Sequence, residues 1–250
     1  MAIFDKKRIP LKMQLFYYQN TFENTFHLDQ DESKHLIRVL RKSKGDKVHF
    51  TDGNGCLLTC TIIDDNPKKA LLRVTERQYS PQSDYYIHLA ICPTKNLERM
   101  EWMVEKATEI GVDEITFMVS EHSERPNLKM DRLEKKMIAA CKQSLKTRFP
   151  KLNPIRQMSE LVIDKTFDAY QRFIAYVDKE NDRHLFDKAE TDRAYIILIG
   201  PEGDFSQQEL QLAFDHHFLP CSLGKSRLRS ETAGVIAVHT LQLKNNLKII

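Results

Sequence analysis

Two short stretches near the C-terminus carry residue types from which a ligand site could be built. The first, "YIILIGPEGDFSQQEL" (195–210), is an apolar, β-branched run that breaks at Gly200-Pro201-Glu202-Gly203. It restarts with Ser206 and Glu209 at capping-box spacing. In α/β folds a strand, a glycine-bearing turn and a helix put a ligand crevice at the strand's carboxyl end. The turn is no phosphate cradle: the GxxxxGK[ST] and GxGxxG patterns are missing, and Glu202 with Asp204 would repel phosphate. An acidic turn suits hydroxyl, ammonium or sulfonium groups better. The second stretch, "CSLGKSRLRSETAGVIAVHTLQL" (221–243), sets a tight turn at Gly224 beside the cations Arg227 and Arg229, and Ser230 with Glu231 can cap and charge a closing helix. The plainer readings are an ordinary βα loop and two solvated loop arginines.

Basic faces come next. Residues 34–47 hold six Lys/Arg against one acid, and Lys34, Arg38 and Arg41 share one face of a helix expected over 29–45. Residues 129–151 hold eight against two, with Met130, Leu133, Met137, Cys141 and Ser144 as an inner stripe. Either face could meet phosphates, and either could be the solvent side of an amphipathic helix. No catalytic triad or metal cluster stands out, and His216-His217 reads as a turn.

The elements that must position these residues fall into two textures. Up to about residue 78, "MQLFYY", "DKVHFTD", "CLLTCTII" and "ALLRV" are short strands punctuated by Asp/Asn/Gly turns, which fits a small barrel. "YSPQSD" (79–84) reads as a linker. From residue 85 strands alternate with helices: "YIHLAIC", a helix from Leu97 to Ile110 stopped by Gly111, "EITFMV", a helix over 130–147, "RFIAYV", "YIILIG" and a final helix over 231–246. That alternation predicts a mainly parallel sheet with helices on both faces.

Bulk properties agree. The 250 residues are 41% hydrophobic and 29% charged, ample for a soluble core. Residues 1–80 carry 14 Lys+Arg against 10 Asp+Glu and the remainder 24 against 25, so the basic part points to a polyanionic partner. The five cysteines are scattered and odd in number, which supports neither a disulfide framework nor a zinc site and suggests a cytoplasmic setting. The N-terminus lacks the apolar core of a signal peptide, and no run approaches a membrane span.

"LIGPEGDFSQQEL" (198–210) and "SLGKSRLRSETA" (222–233) resemble the paired C-terminal motifs of the RsmE family, the uridine-N3 methyltransferases of bacterial 16S ribosomal RNA within the SPOUT superfamily. "KNLERMEWMVEKATEIGVDEI" (95–115) is similar to that family's first long helix, and "HLIRVLRKSKGDKVHFTDGNG" (35–55) to its PUA-like domain. The resemblance implies an α/β protein with an N-terminal PUA-like β-barrel (1–78) and a C-terminal SPOUT α/β domain (85–250) holding a trefoil knot. It further implies a homodimer that binds S-adenosylmethionine through Leu198, Gly200, Glu202, Gly203, Leu223, Gly224 and Leu228. In this reading the leucines wall the adenine, and Gly203 and Gly224 keep two loops free of bulky side chains. The implied substrate is 16S rRNA in the small ribosomal subunit, contacted by Lys34, Arg38, Arg41 and Lys95, with no metal and no membrane. For the chemistry, Arg229 would supply positive field at the uracil carbonyls, and Glu231 would orient it or take the N3 proton. Asp204 stands where the family usually has Gly, Ser226 and then Arg227 where it has Arg, and His122 and Lys146 where arginines are common. A methyltransferase acting on tRNA or a ribose 2′-hydroxyl, and a non-catalytic RNA-binding assembly protein, are the alternatives.

Overall fold

The computed structural model describes residues 13–18, 23–123, 128–176 and 183–247. The start of the N-terminal stretch and the end of the expected strand "RFIAYV" lie outside the described residues. Two units form: Met1–Pro81 with Cys141–Arg148, and Gln82–Ala140 with Phe149–Ile250.

In the first unit β1 (Leu15–Tyr17), β2 (Thr25–His27), α1 (Gln30–Lys34), β3 (Lys47–Thr51), β4 (Cys56–Asp64) and β5 (Leu71–Tyr79) build a five-stranded sheet in the order β1-β3-β4-β5-β2. Alternate residues of β4 are buried, as a strand with one covered face requires. Phe50, Leu58, Ile62 and Leu72 pack there with Leu36, all fully buried. Burying side chains of this size stabilises by about 1.5–3 kcal/mol each.

The helix expected over 29–45 is shorter. Asp29 caps α1 by accepting the Glu32 N–H at 2.8 Å, but the turns widen to a π-helix over His35–Val39, where the Leu40 N–H reaches the His35 carbonyl. Arg41 already has φ +55°. The chain stops early because the next turn must deliver β3: Asp46 accepts the Ser43 N–H, and the Gly45 N–H pairs with the Ile62 carbonyl. Lys34, Arg38 and Arg41 are all exposed, yet they do not share one face of a regular helix.

The segment Cys141–Arg148 completes the first unit. The Thr147 carbonyl accepts from the Thr51 hydroxyl and the Gly55 N–H, and the Arg148 guanidinium donates to the Asn54 and Ser80 carbonyls.

The second unit contains β6 (Tyr86–Ile91), α2 (Leu97–Ile110), β7 (Glu114–Val119), α3 (Met130–Gln143), β8 (Lys151–Gln157), α4 (Met158–Val162), β9 (Gln171–Ala175), α5 (Leu185–Lys188), β10 (Ala194–Ile199), α6 (Gln207–Asp215), β11 (Leu219–Cys221) and α7 (Ser230–Asn246). Every pairing in its six-stranded sheet is parallel, in the order β11-β9-β10-β6-β7-β8. The central strands β6 and β10 are buried on both faces, which explains their apolar runs, interrupted in β6 by the buried His88. α4 and α6 cover one face, with Ile174, Ile196 and Leu198 in that core. α2 and α7 pack together, and α7 lies against β6 and β10. A Cβ on Gly234 would come within 2.9 Å of Ile91 Cδ1, so this glycine lets the α7 backbone reach the sheet. α3 ends sooner than expected: Leu145 turns to φ +57°, and the Lys146 N–H closes on the Cys141 carbonyl.

Candidate functional site

Because all six strands run the same way, the loops that follow β6, β7, β9, β10 and β11 gather at one edge of the sheet. There a cleft of about 1190 Å³ opens, lined by Gly200–Asp204, Cys221–Ser230, Ala175, Tyr176, Ile199, Ala233 and Arg99.

The loop after β10 is held by the capping box at α6. Ser206 Oγ accepts the Glu209 N–H, Glu209 Oε2 accepts the Ser206 N–H, and Glu209 Oε1 reaches across to the Glu121 N–H at 2.8 Å. Asp204 has φ +61°, a conformation open to Gly and tolerated by Asp, and its carboxylate accepts from the Phe205 N–H. His122 Nδ1 donates to the Asp204 carbonyl at 3.0 Å. The loop after β11 turns at Gly224, whose φ is +122° and whose absent Cβ would meet nothing within 4 Å. The two loops are tied where α7 begins: the Ser230 hydroxyl donates to the Gly200 carbonyl at 2.9 Å. Ser230 is therefore not the cap of α7; Arg229 holds that position, with no side-chain cap bond.

Gly200, Glu202, Gly203, Leu223, Gly224, Leu228 and Arg229 all line the cleft. Two expected residues do not. Leu198 points into the core beside Phe205 and Leu210, because strand alternation gives the cleft to its neighbour Ile199. Glu231 is 5% exposed and faces Arg99 rather than Arg229, with Arg99 Nε 3.7 Å from its Oε1. Gly203 serves packing: a Cβ there would come within 3.2 Å of His122 Cβ. Lys95 is exposed in the loop after β6, outside the cleft lining. Arg99 escaped the sequence reading. It was one charge among many on an amphipathic helix, and only its meeting with Glu202 at 3.7 Å and with Glu231 sets it apart.

A model of an RNA methyltransferase domain matches residues 81–242, and one of an RNA methyltransferase PUA domain matches residues 28–75. The ribosomal RNA small subunit methyltransferase E of Mesomycoplasma hyopneumoniae is 30% identical over 229 residues, covering 89% of this chain and 96% of that one. The chain belongs to the ribosomal RNA small subunit methyltransferase E family. Among solved structures of similar proteins, a probable rRNA-methyltransferase from Porphyromonas gingivalis is 43% identical, with a TM-score of 0.85 over 92% of this chain and 98% of that one. The family enzyme of Neisseria gonorrhoeae, solved bound to S-adenosyl methionine, is 26% identical, with a TM-score of 0.82 over 93% and 98%.

Within this family's fold the cleft lacks an active thiol. Cys221 lines it, but burial pushes that thiol up to about 12, so it stays protonated at neutral pH. Among the described residues no three His, Cys, Asp or Glu side chains gather to hold a metal, and no helix is long and apolar enough to cross a membrane.

Proposed function

We propose that the protein methylates N3 of a uridine in 16S rRNA of the small ribosomal subunit, using S-adenosylmethionine. The observation that carries this reading is the cleft between two glycine-bearing loops at the carboxyl edge of a parallel sheet, in a chain of this family. The residues fit the donor chemically. Gly224 leaves open space, Leu223, Leu228 and Ile199 offer apolar wall, and Glu202 puts a carboxylate at the rim for a cationic group. Bound there, S-adenosylmethionine supplies an electrophilic methyl group on a sulfonium.

The protein's own groups then account for the rest. Methylation of a ring carbon would need a nucleophile to add to the base first, and Cys221 is held as a thiol, which favours direct displacement by nitrogen or oxygen. Uridine N3 becomes nucleophilic as it loses its proton, and charge grows on the flanking carbonyls. Arg229, exposed at the cleft and free of ion pairs among the described residues, can meet that charge. Glu231 acts one step back, through Arg99. The first unit, with exposed Lys34, Arg38 and Arg41, is read as the PUA-like RNA-binding barrel, joined on the substrate by Lys95.

A trefoil knot through the loops after β10 and β11, a homodimer seated on α7 and a cytoplasmic location complete the reading. The test is to map methylated nucleotides in small-subunit RNA from cells lacking the protein. A missing 3-methyluridine restored by the purified enzyme is expected; an unchanged 16S methylation pattern overturns the assignment.

A further inference from the structure

We infer that Arg99 is a positioning residue that sets the spacing of the two cofactor loops, by bridging a buried carboxylate on α7 and an exposed one on the loop after β10. The inference rests on the proposed binding of S-adenosylmethionine in this cleft.

Arg99 stands in the first turn of α2 and lines the cleft. Its Nε lies 3.7 Å from Glu231 Oε1, and its Nη1 lies 3.7 Å from Glu202 Oε1. The two halves of this bridge differ in kind. The Glu231 side chain is 7% exposed, and its Oε2 is buried without a hydrogen-bond partner among the described residues. Taking Arg99 away would strand a buried charge, so this half is the fixed root. The Glu202 side chain is 69% exposed, so its half of the bridge is solvated and weak. The Ser230–Gly200 hydrogen bond joins the same two segments at their base. The loops are therefore closed at the bottom by a neutral bond and at the rim by a charge contact that can yield.

One cation facing two carboxylates leaves the bridge itself with an excess negative charge. A ligand carrying a sulfonium and an ammonium group can take Glu202 over while Arg99 stays on Glu231. The bridge thus holds Glu202 ready for the donor without burying it.

The geometry makes a sharp demand on side-chain type, because two different nitrogens of one planar guanidinium address the two carboxylates. A lysine ammonium can keep Glu231 paired but cannot present the same fork. Arg99→Lys should therefore fold normally and bind S-adenosylmethionine about fivefold more weakly by calorimetry, in keeping with a partly solvated charge contact. Glu202→Gln should weaken binding at least as much, because it removes the carboxylate the donor takes over, and the double variant should be no weaker than Glu202→Gln alone, since Arg99 acts through Glu202.

An Arg99→Lys affinity within about 1.5-fold of wild type overturns the inference, as do additive losses in the double variant. Should the lysine variant fail to fold, the exposed Glu202→Gln alone decides: unchanged donor affinity removes the bridge. Failure of the wild-type protein to bind S-adenosylmethionine would instead sink the underlying functional reading. A purely structural Arg99 would shift the unfolding temperature and leave the coupling with Glu202 at zero.

Discussion

At the scale of single residues, Arg229 and His88 show how differently two basic side chains can be used. Arg229 caps α7 with its backbone and leaves its guanidinium in the cleft. Removing one preorganised donor of this kind costs on the order of a hundredfold or more in rate. Arg229→Ala should bind S-adenosylmethionine nearly normally and lose most methylation of small subunits in single turnover. Activity within about tenfold of wild type would reduce it to a loop cation. His88 is buried under the sheet's other end, with Nε2 2.7 Å from Thr116 Oγ1. Burial, only partly offset by Glu114, pushes its pKa down to about 4 from 6.5. A depressed histidine is neutral when folded, while the unfolded chain takes up the proton first. Its contribution is complete above pH 6.5 and is lost as the pH falls toward 4. At Glu114 burial pushes upward, but His88, Asn153, Tyr86 and Lys151 together hold the carboxyl below its ordinary 4.5, which adds acid sensitivity further down. In urea unfolding between about pH 7 and pH 5, His88→Gln should flatten the loss of stability by up to about 1.4 kcal/mol per pH unit. Identical slopes in both proteins would clear His88.

At the scale of elements, α7 carries the most constraint. Its N-terminus ties the two loops that line the cleft, and Gly234 brings its backbone against Ile91 and Leu89 of β6. A branched side chain there must push the helix off the sheet, so Gly234→Val should cost about 1–3 kcal/mol in denaturant unfolding. A neutral result would mean that α7 can shift without penalty. Both edge strands of the parallel sheet are interrupted by proline, Pro154 in β8 and Pro220 in β11, which blunts edge-to-edge pairing. In the first unit the π-turn after α1 separates Arg41 from Lys34 and Arg38. Each phosphate contact contributes roughly one unit to the slope of log affinity against log salt. If Lys34 and Arg38 act on RNA, their double alanine variant should lower that slope by about two units. An unaltered slope returns this face to solvent.

At the scale of the whole molecule, the proposed dimer is to be tested on what α7 leaves uncovered. Of the stripe Ala233, Ile236, Ala237, Thr240 and Leu241, the last three are buried within the chain, and only Ala233 and Ile236 remain half-exposed. Trp102, on the neighbouring α2, is 43% exposed. If this face joins two copies, Ile236→Glu should convert the dimer to monomer by light scattering while the fold stays intact. A variant that keeps the wild-type mass moves the interface elsewhere. The chain also visits the first unit twice, since Cys141–Arg148 folds with it, and Arg148 there holds the Asn54 and Ser80 carbonyls.

Sequence by itself determined the elements whose cause is local. The double-faced burial of β6 and β10 is written in their short, isoleucine-bearing apolar runs, the start of α6 in Ser206 and Glu209, and the end of α2 in Gly111. The two glycine-bearing turns that line the cleft were legible for the same reason, because turn chemistry and strand boundaries are properties of neighbouring residues. Tertiary structure decided the rest. It widened the helix after Lys34 into a π-turn that stops at Val39, because the turn at Ser43–Asp46 must deliver β3, and it drew a strand from the proline-bearing "KLNPIRQ" because an edge position spares the missing N–H. It turned Leu198 inward and Ile199 outward, and it paired Glu231 with Arg99, 132 positions away in the chain, rather than with Arg229 two positions away. Periodicity tells which residues share a face. Which face meets which carboxylate is settled only when six parallel strands bring their carboxyl ends to one edge.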